Sequence, residues 1–92
     1  MNNEEDKNSL GFLLVSTYPS KVREVYAKLE SSKTEVEGAE CVDIHPLWGD
    51  WDLILKVKAL DYNVLGEYHN FVKEIPGVAN TKMFQTIKAR KS

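Results

Sequence analysis

The sequence has one cysteine, Cys41, so no disulfide closes within the chain and no cysteine-rich zinc site forms from it. A chain without disulfides suits a reducing compartment, and cytoplasm is the expected location. Long apolar runs are also missing. None approaches the ~20 residues of a membrane helix, so no membrane association is expected. Met1–Ser9 is polar and acidic and lacks the apolar centre of a secretory signal. There is no basic excess: 12 Lys and Arg stand against 14 Asp and Glu, a formal net charge of −2. Nucleic-acid binders usually carry a basic excess or a clustered basic face. Only Lys88, Arg90 and Lys91 gather near the end, and a frayed, solvated tail is the plainer reading of them.

Catalytic signatures are scarce as well. No phosphate loop, serine elbow or paired-carboxylate motif is visible. His45 and His69 fall on different expected elements with no third ligand at metal spacing, so neither a metal nor another cofactor is expected. Cys41 and His45 are four residues apart on one expected strand. That places them on the same face but beyond hydrogen-bond reach, which argues against a thiol–imidazole pair.

What is there fits one domain of modest core, which oligomerisation would help. Met1–Ser9 reads as a disordered leader with little to bury, residues 10–88 as the domain and residues 89–92 as a basic tail. Leu10–Tyr18 is a strand apolar on both faces, with Phe12 and Leu14 on one and Leu13 and Val15 on the other. Such a strand is usually central in its sheet. Pro19 keeps Tyr18 extended. Ser20 is a candidate N-cap, and Val22, Val25, Tyr26 and Leu29 follow on one helical face. Glu24 and Lys28 form an i,i+4 pair on the exposed side.

Glu40–Trp48 and Trp51–Ala59 are two strands around Gly49-Asp50, a two-residue hairpin signal. That turn fixes the register. Trp48 faces Trp51, Pro46 faces Leu53, Ile44 faces Leu55 and Val42 faces Val57 on one uncharged side. Leu47 faces Asp52, His45 faces Ile54, Asp43 faces Lys56 and Cys41 faces Lys58 on the other. Pro46 cannot donate to a ladder, so its strand lies at an edge. Asp61 is a second N-cap candidate, followed by Val64, Leu65, Tyr68, Phe71, Val72 and Ile75 at helical spacing. Gly66 inside this helix suggests a close approach to the sheet, and Pro76-Gly77 ends it. Val78–Lys88 is the last strand.

The order β-α-β-β-α-β is the ferredoxin-like, α+β arrangement with an antiparallel sheet in the order 4-1-3-2. Right-handed crossovers place both helices on one face. The other face then carries Leu47, Ile54, His45, one apolar set of the first strand, and Phe84 or Met83 with Ile87. Monomers rarely leave so contiguous an apolar patch in water. A two-fold, sheet-on-sheet dimer, the dimeric α/β-barrel arrangement, is therefore expected. An open-faced sheet is the alternative, since Asp43, Lys56 and Lys58 share that face.

The stretch from Trp48 to Ile87 resembles the C-terminal ligand-binding (RAM) domain of the Lrp/AsnC transcription regulators. That family carries T-G-x-[YFW]-D-[LIY], a strand and helix, then [LI]-P-G-V-x-x-T-x-T. Here the matching residues are Trp48-Gly49-Asp50-Trp51-Asp52-Leu53, Ile75-Pro76-Gly77-Val78 and Thr81-Lys82-Met83. Trp48 stands where the family usually has Thr, and Met83 where it often has a second Thr. No helix-turn-helix precedes the domain, as in the stand-alone members, so direct DNA binding is not expected. The resemblance implies dimers, further assembly into higher oligomers, a free amino acid bound between dimers, and partnership with full-length Lrp/AsnC regulators.

Under that resemblance the ligand-binding candidates are Trp48, Gly49, Asp50, Trp51, Asp52, Thr81 and Met83. Backbone N–H groups at Gly49 and Asp50 would take the carboxylate. Asp50 or Asp52 would take the ammonium, and Thr81 would add a hydroxyl. Trp48 and Trp51 would wall the side chain. Each has a plainer reading: Gly-Asp as turn chemistry, the tryptophans as a cross-strand clamp, Met83 as packing. The expected function is an effector-binding and oligomerisation module without catalysis. One rival is a dimeric α/β-barrel monooxygenase-type enzyme, with His69 and Trp51 in a pocket inside each protomer. The other is a purely structural interaction protein.

Overall fold

The computed structural model describes residues 9–86. The elements are β1 (Ser9–Thr17), α1 (Val22–Glu30), β2 (Ala39–Pro46), β3 (Leu53–Ala59), α2 (Tyr62–Lys73) and β4 (Val78–Gln85). The sheet runs β2-β3-β1-β4, the expected order read from the opposite edge, and every neighbouring pair is antiparallel. Strand β1 begins one residue earlier than expected: Ser9 is buried and pairs with Ala59. The rest of the expected leader, Ile87, and the basic tail lie outside the described residues.

Burial alternates along β1 and β3, so Leu13, Val15, Leu53, Leu55 and Val57 pack beneath the helices. Val25 and Leu29 of α1 and Leu65, Tyr68 and Val72 of α2 close over them. The N-cap at Asp61 forms as expected: Val64 N donates to Asp61 Oδ1 at 2.9 Å.

The other expected cap does not form. Lys21 N donates to Tyr18 O at 3.0 Å, closing a turn with Pro19 and Ser20 at its centre. Ser20 adopts φ 71°, the left-handed third residue of such a turn. It therefore cannot cap α1, whose N-cap residue is Lys21 with no side-chain cap bond. Glu24 correspondingly pairs with Lys21, 3.6 Å away, and not with Lys28.

The β2–β3 register is as expected from Asp43↔Lys56 to Pro46↔Leu53, but Val42 is an extra, bulged residue. Beyond it the register moves by one, and Cys41 pairs with Val57 and enters the core. Cys41 and His45 thus lie on opposite faces of the sheet. Burial pushes the Cys41 thiol up to about 11.

The close helix–sheet approach is at Gly11, not Gly66. A Cβ on Gly11 would stand 2.8 Å from Leu65 Cδ2 and 2.9 Å from Met83 Sδ, whereas one on Gly66 meets nothing within 4 Å. Gly66→Ala is therefore expected to stabilise the fold by about 1 kcal/mol, the helix-propensity difference. Gly11→Val should destabilise it by roughly 1–3 kcal/mol through overpacking. Urea unfolding of the two variants checks the contrast in sign.

Candidate functional site

The β2–β3 ladder ends where Leu47 N donates to Asp52 O at 2.9 Å. Residues 48–51 beyond that bond form an exposed loop in place of a tight two-residue turn. Gly49 there has φ 109°, and nothing lies within 4 Å of where its Cβ would be. Glycine is needed at this position for its backbone conformation, and the space in front of it is open. Trp48 is 102% exposed, as free of neighbours as in an extended chain, while Trp51 is half-buried. The expected Trp48–Trp51 clamp is not made.

The loop is anchored at Asp52. Its Oδ2 accepts from Thr17 N at 2.7 Å and from Thr17 Oγ1 at 3.2 Å. Asp52 N in turn donates to Val15 O at 2.9 Å. Asp52 therefore ties the loop to the end of β1, a role sequence spacing did not reveal because Thr17 is 35 residues away. Asp50 is exposed. Among the described residues, the amides of Trp48, Gly49, Asp50 and Trp51 donate to no protein acceptor. Successive N–H groups without a protein acceptor are suited to a carboxylate. Asp52→Ala should cost about 1–3 kcal/mol, since it leaves the Thr17 donors without their acceptor. Hydrogen exchange should show faster exchange at the Thr17 amide. Unchanged protection there would place the anchor elsewhere.

An apolar recess of about 460 Å³ opens beside the loop, lined by Val22, Arg23, Tyr26, Pro46 and Leu53. Pro46 and Leu53 are also the paired residues that flank the loop.

Thr81 and Met83 lie two strands from the loop. Thr81 pairs with Val15, which pairs with Leu53, so Thr81 is level with the loop's base. Two interstrand spacings separate them, about 10 Å. The Thr81 hydroxyl shares a 2.8 Å hydrogen bond with His69 Nε2 of α2. Burial, and then the Lys73 ammonium, hold His69 below its ordinary value. Thr81 also lines a recess of about 320 Å³ with Lys73, Val78, Ala79 and Asn80. Met83 packs against the core. The structure thus groups residues 48–52 in one loop, but sets Thr81 and Met83 under α2.

The face away from the helices carries Leu10, Phe12, Leu14 and Ile54, all half-buried, and Phe84, 48% exposed. Met83 is on the opposite, core side. His45, Asp43 and Lys56 join Phe12 and Ile54 around a shallow recess. Lys82 Nζ lies 5.3 Å from the Phe84 ring centre, a cation–π contact at the edge of the face.

No protein-family model matches the chain. The HTH-type transcriptional regulator FL11 of Pyrococcus furiosus is 29% identical over 84 residues, covering 91% of this chain and 52% of the relative. The chain spans about half the length of the curated relatives it matches. Among solved structures, Escherichia coli AsnC superimposes with a TM-score of 0.75 at 14% identity, over 98% of this chain and 58% of that one. The transcriptional regulator NMB0573 of Neisseria meningitidis, solved as a complex with L-Met, gives 0.72 at 19% identity, over 100% of this chain and 58% of its own. Among the described residues no helix is long and apolar enough to cross a membrane. The chain is a sequence relative of a helix-turn-helix transcription regulator and carries the AsnC fold, and its resemblance to the ligand-binding (RAM) domain of the Lrp/AsnC family stands.

Proposed function

We propose that this domain is an effector-binding and oligomerisation module that takes a free amino acid against the loop at residues 48–52, between dimers. In that role it modulates transcription regulators of amino-acid metabolism, without catalysis and without contacting DNA itself. The observation that carries the reading is the loop: amides around Gly49 that donate to no protein acceptor, with open space beside Gly49 and the loop's base tied to β1 by Asp52. Those amides take the carboxylate, and Asp50 takes the ammonium. Thr81 and Met83 act from a neighbouring copy or through packing. The L-Met complex of the Neisseria regulator supports an amino acid as the ligand class.

The enzyme reading has less to stand on. A protomer-internal pocket would occupy the space between helices and sheet, and Leu13, Leu55, Leu65 and Tyr68 fill that space at 0% exposure.

Thermal-shift screening against the twenty amino acids, with mass followed by light scattering, tests the reading. A specific ligand at 100 times its dissociation constant should stabilise the fold by about 2.7 kcal/mol. Gly49→Val should lose that response, because a β-branched residue resists φ above zero. If none of the twenty shifts the transition, the structural-partner reading replaces this one.

A further inference from the structure

We propose that Trp48 of one copy seats in the apolar recess of a second copy, lined by Val22, Arg23, Tyr26, Pro46 and Leu53, and receives the same contact in return. The contact goes beyond the effector reading, because it requires no ligand.

Two features of one surface point to it. A tryptophan 102% exposed sets a large apolar side chain entirely in water. Beside it, a recess of about 460 Å³ has apolar walls from Val22, Tyr26, Pro46 and Leu53. Neither feature is explained within a single chain, and each has the chemistry the other lacks. Arg23 at the recess wall supplies a cation for the indole face, the pairing in which tryptophan is the best aromatic partner.

The geometry supports exchange between copies. Pro46 and Leu53 both line the recess and flank the loop that bears Trp48, so knob and hole lie side by side. A two-fold axis near the loop brings the knob of each copy to the hole of the other. Such a contact is isologous and closes on itself. It lies at the end of the sheet and across its helix side, away from Phe12 and Ile54 on the back face. A chain using both contacts assembles beyond a dimer.

The test uses the full chain carrying Trp51→Phe, so that Trp48 is the sole tryptophan. Its emission and light-scattering mass are followed together as concentration rises. The expected result is a shift to shorter wavelength that tracks the rise in mass. Val22→Glu should abolish the shift and lower the assembled mass. Val22 is 37% exposed, so the charge should leave the far-UV dichroism unchanged. If that variant does not fold, Arg23→Glu, at an exposed position, replaces it. Trp48→Ala should lower the mass to the same degree. An equimolar mixture of Trp48→Ala, with its recess intact, and Val22→Glu, with its indole intact, should regain part of the shift. Three results overturn the proposal. One is a rise in mass with emission unchanged. Another is blue emission at the lowest concentration, which puts the indole in its own chain's recess. The third is a mixture that recovers nothing.

Discussion

Ile54→Glu is expected to break the sheet-on-sheet pairing of an assembled protein and lower its mass. Ile54 lies on β3, a central strand, opposite Leu14 of β1 and His45 of β2 on the face away from the helices. Phe12 and Leu14 lie beside it, and Phe84 beyond them on β4. If this face is covered by a second copy, a carboxylate at its middle is buried without a partner in the dimer and solvated in the monomer. An uncompensated buried charge costs about 3–5 kcal/mol. At about 1.4 kcal/mol per factor of ten, the dimer dissociation constant should rise by roughly two to three orders of magnitude. The fold of each chain should survive, because position 54 is half-exposed in the isolated protomer. Sedimentation velocity together with far-UV dichroism reads both effects. A variant that sediments like the unaltered chain would show that the back face is not the interface.

The second large effect is on stability. Tyr68 is the largest fully buried side chain, and its hydroxyl donates to Ser32 O at 3.2 Å. Its ring lies 5.5 Å from that of Phe71, and burial holds its phenol above the ordinary range. Tyr68→Ala removes the ring from a site closed by α2, the sheet and the segment after α1. A loss of about 3–5 kcal/mol is expected, the range for aromatic truncation in a core. That is a large share of the ~5–15 kcal/mol that holds a typical domain together. Tyr68→Phe keeps the ring and removes only the donor, so it should cost about 1–3 kcal/mol. Chemical denaturation of the pair separates packing from the hydrogen bond. Equal losses would mean that the ring contributes little.

Much of the fold was legible because single residues carried it. Pro46 marked an edge strand, both apolar sets of β1 marked a central one, and Asp61 marked the start of α2. The bulge at Val42 was not legible. Cys41 and Val42 are both apolar, so a one-residue shift of register still sends an apolar side chain inward and the pattern fits either way. Ser20 was misread because serine serves caps and turns alike, and Pro19 decides for the turn. Gly66 and Gly11 were indistinguishable as glycines until α2 was laid on the sheet and Leu65 came over β1.

The candidate site was legible where it is contiguous. Trp48, Gly49, Asp50, Trp51 and Asp52 form one loop, and the resemblance pointed at it. The Thr17 anchor, the recess from α1 and the His69–Thr81 bond join elements distant in sequence. Single-residue signals cannot show such pairings. The histidine and the threonine were each noticed alone, and only the packing of α2 over β4 brought them together.

Most of the functional reading depends on one physical condition: the half-exposed apolar side of the sheet needs a partner surface. Light scattering of the unaltered chain, whose mass is 10.5 kDa, measures this directly at micromolar concentration. The prediction is a species of two chains or a multiple of two. A soluble species that stays at the mass of one chain would contradict it.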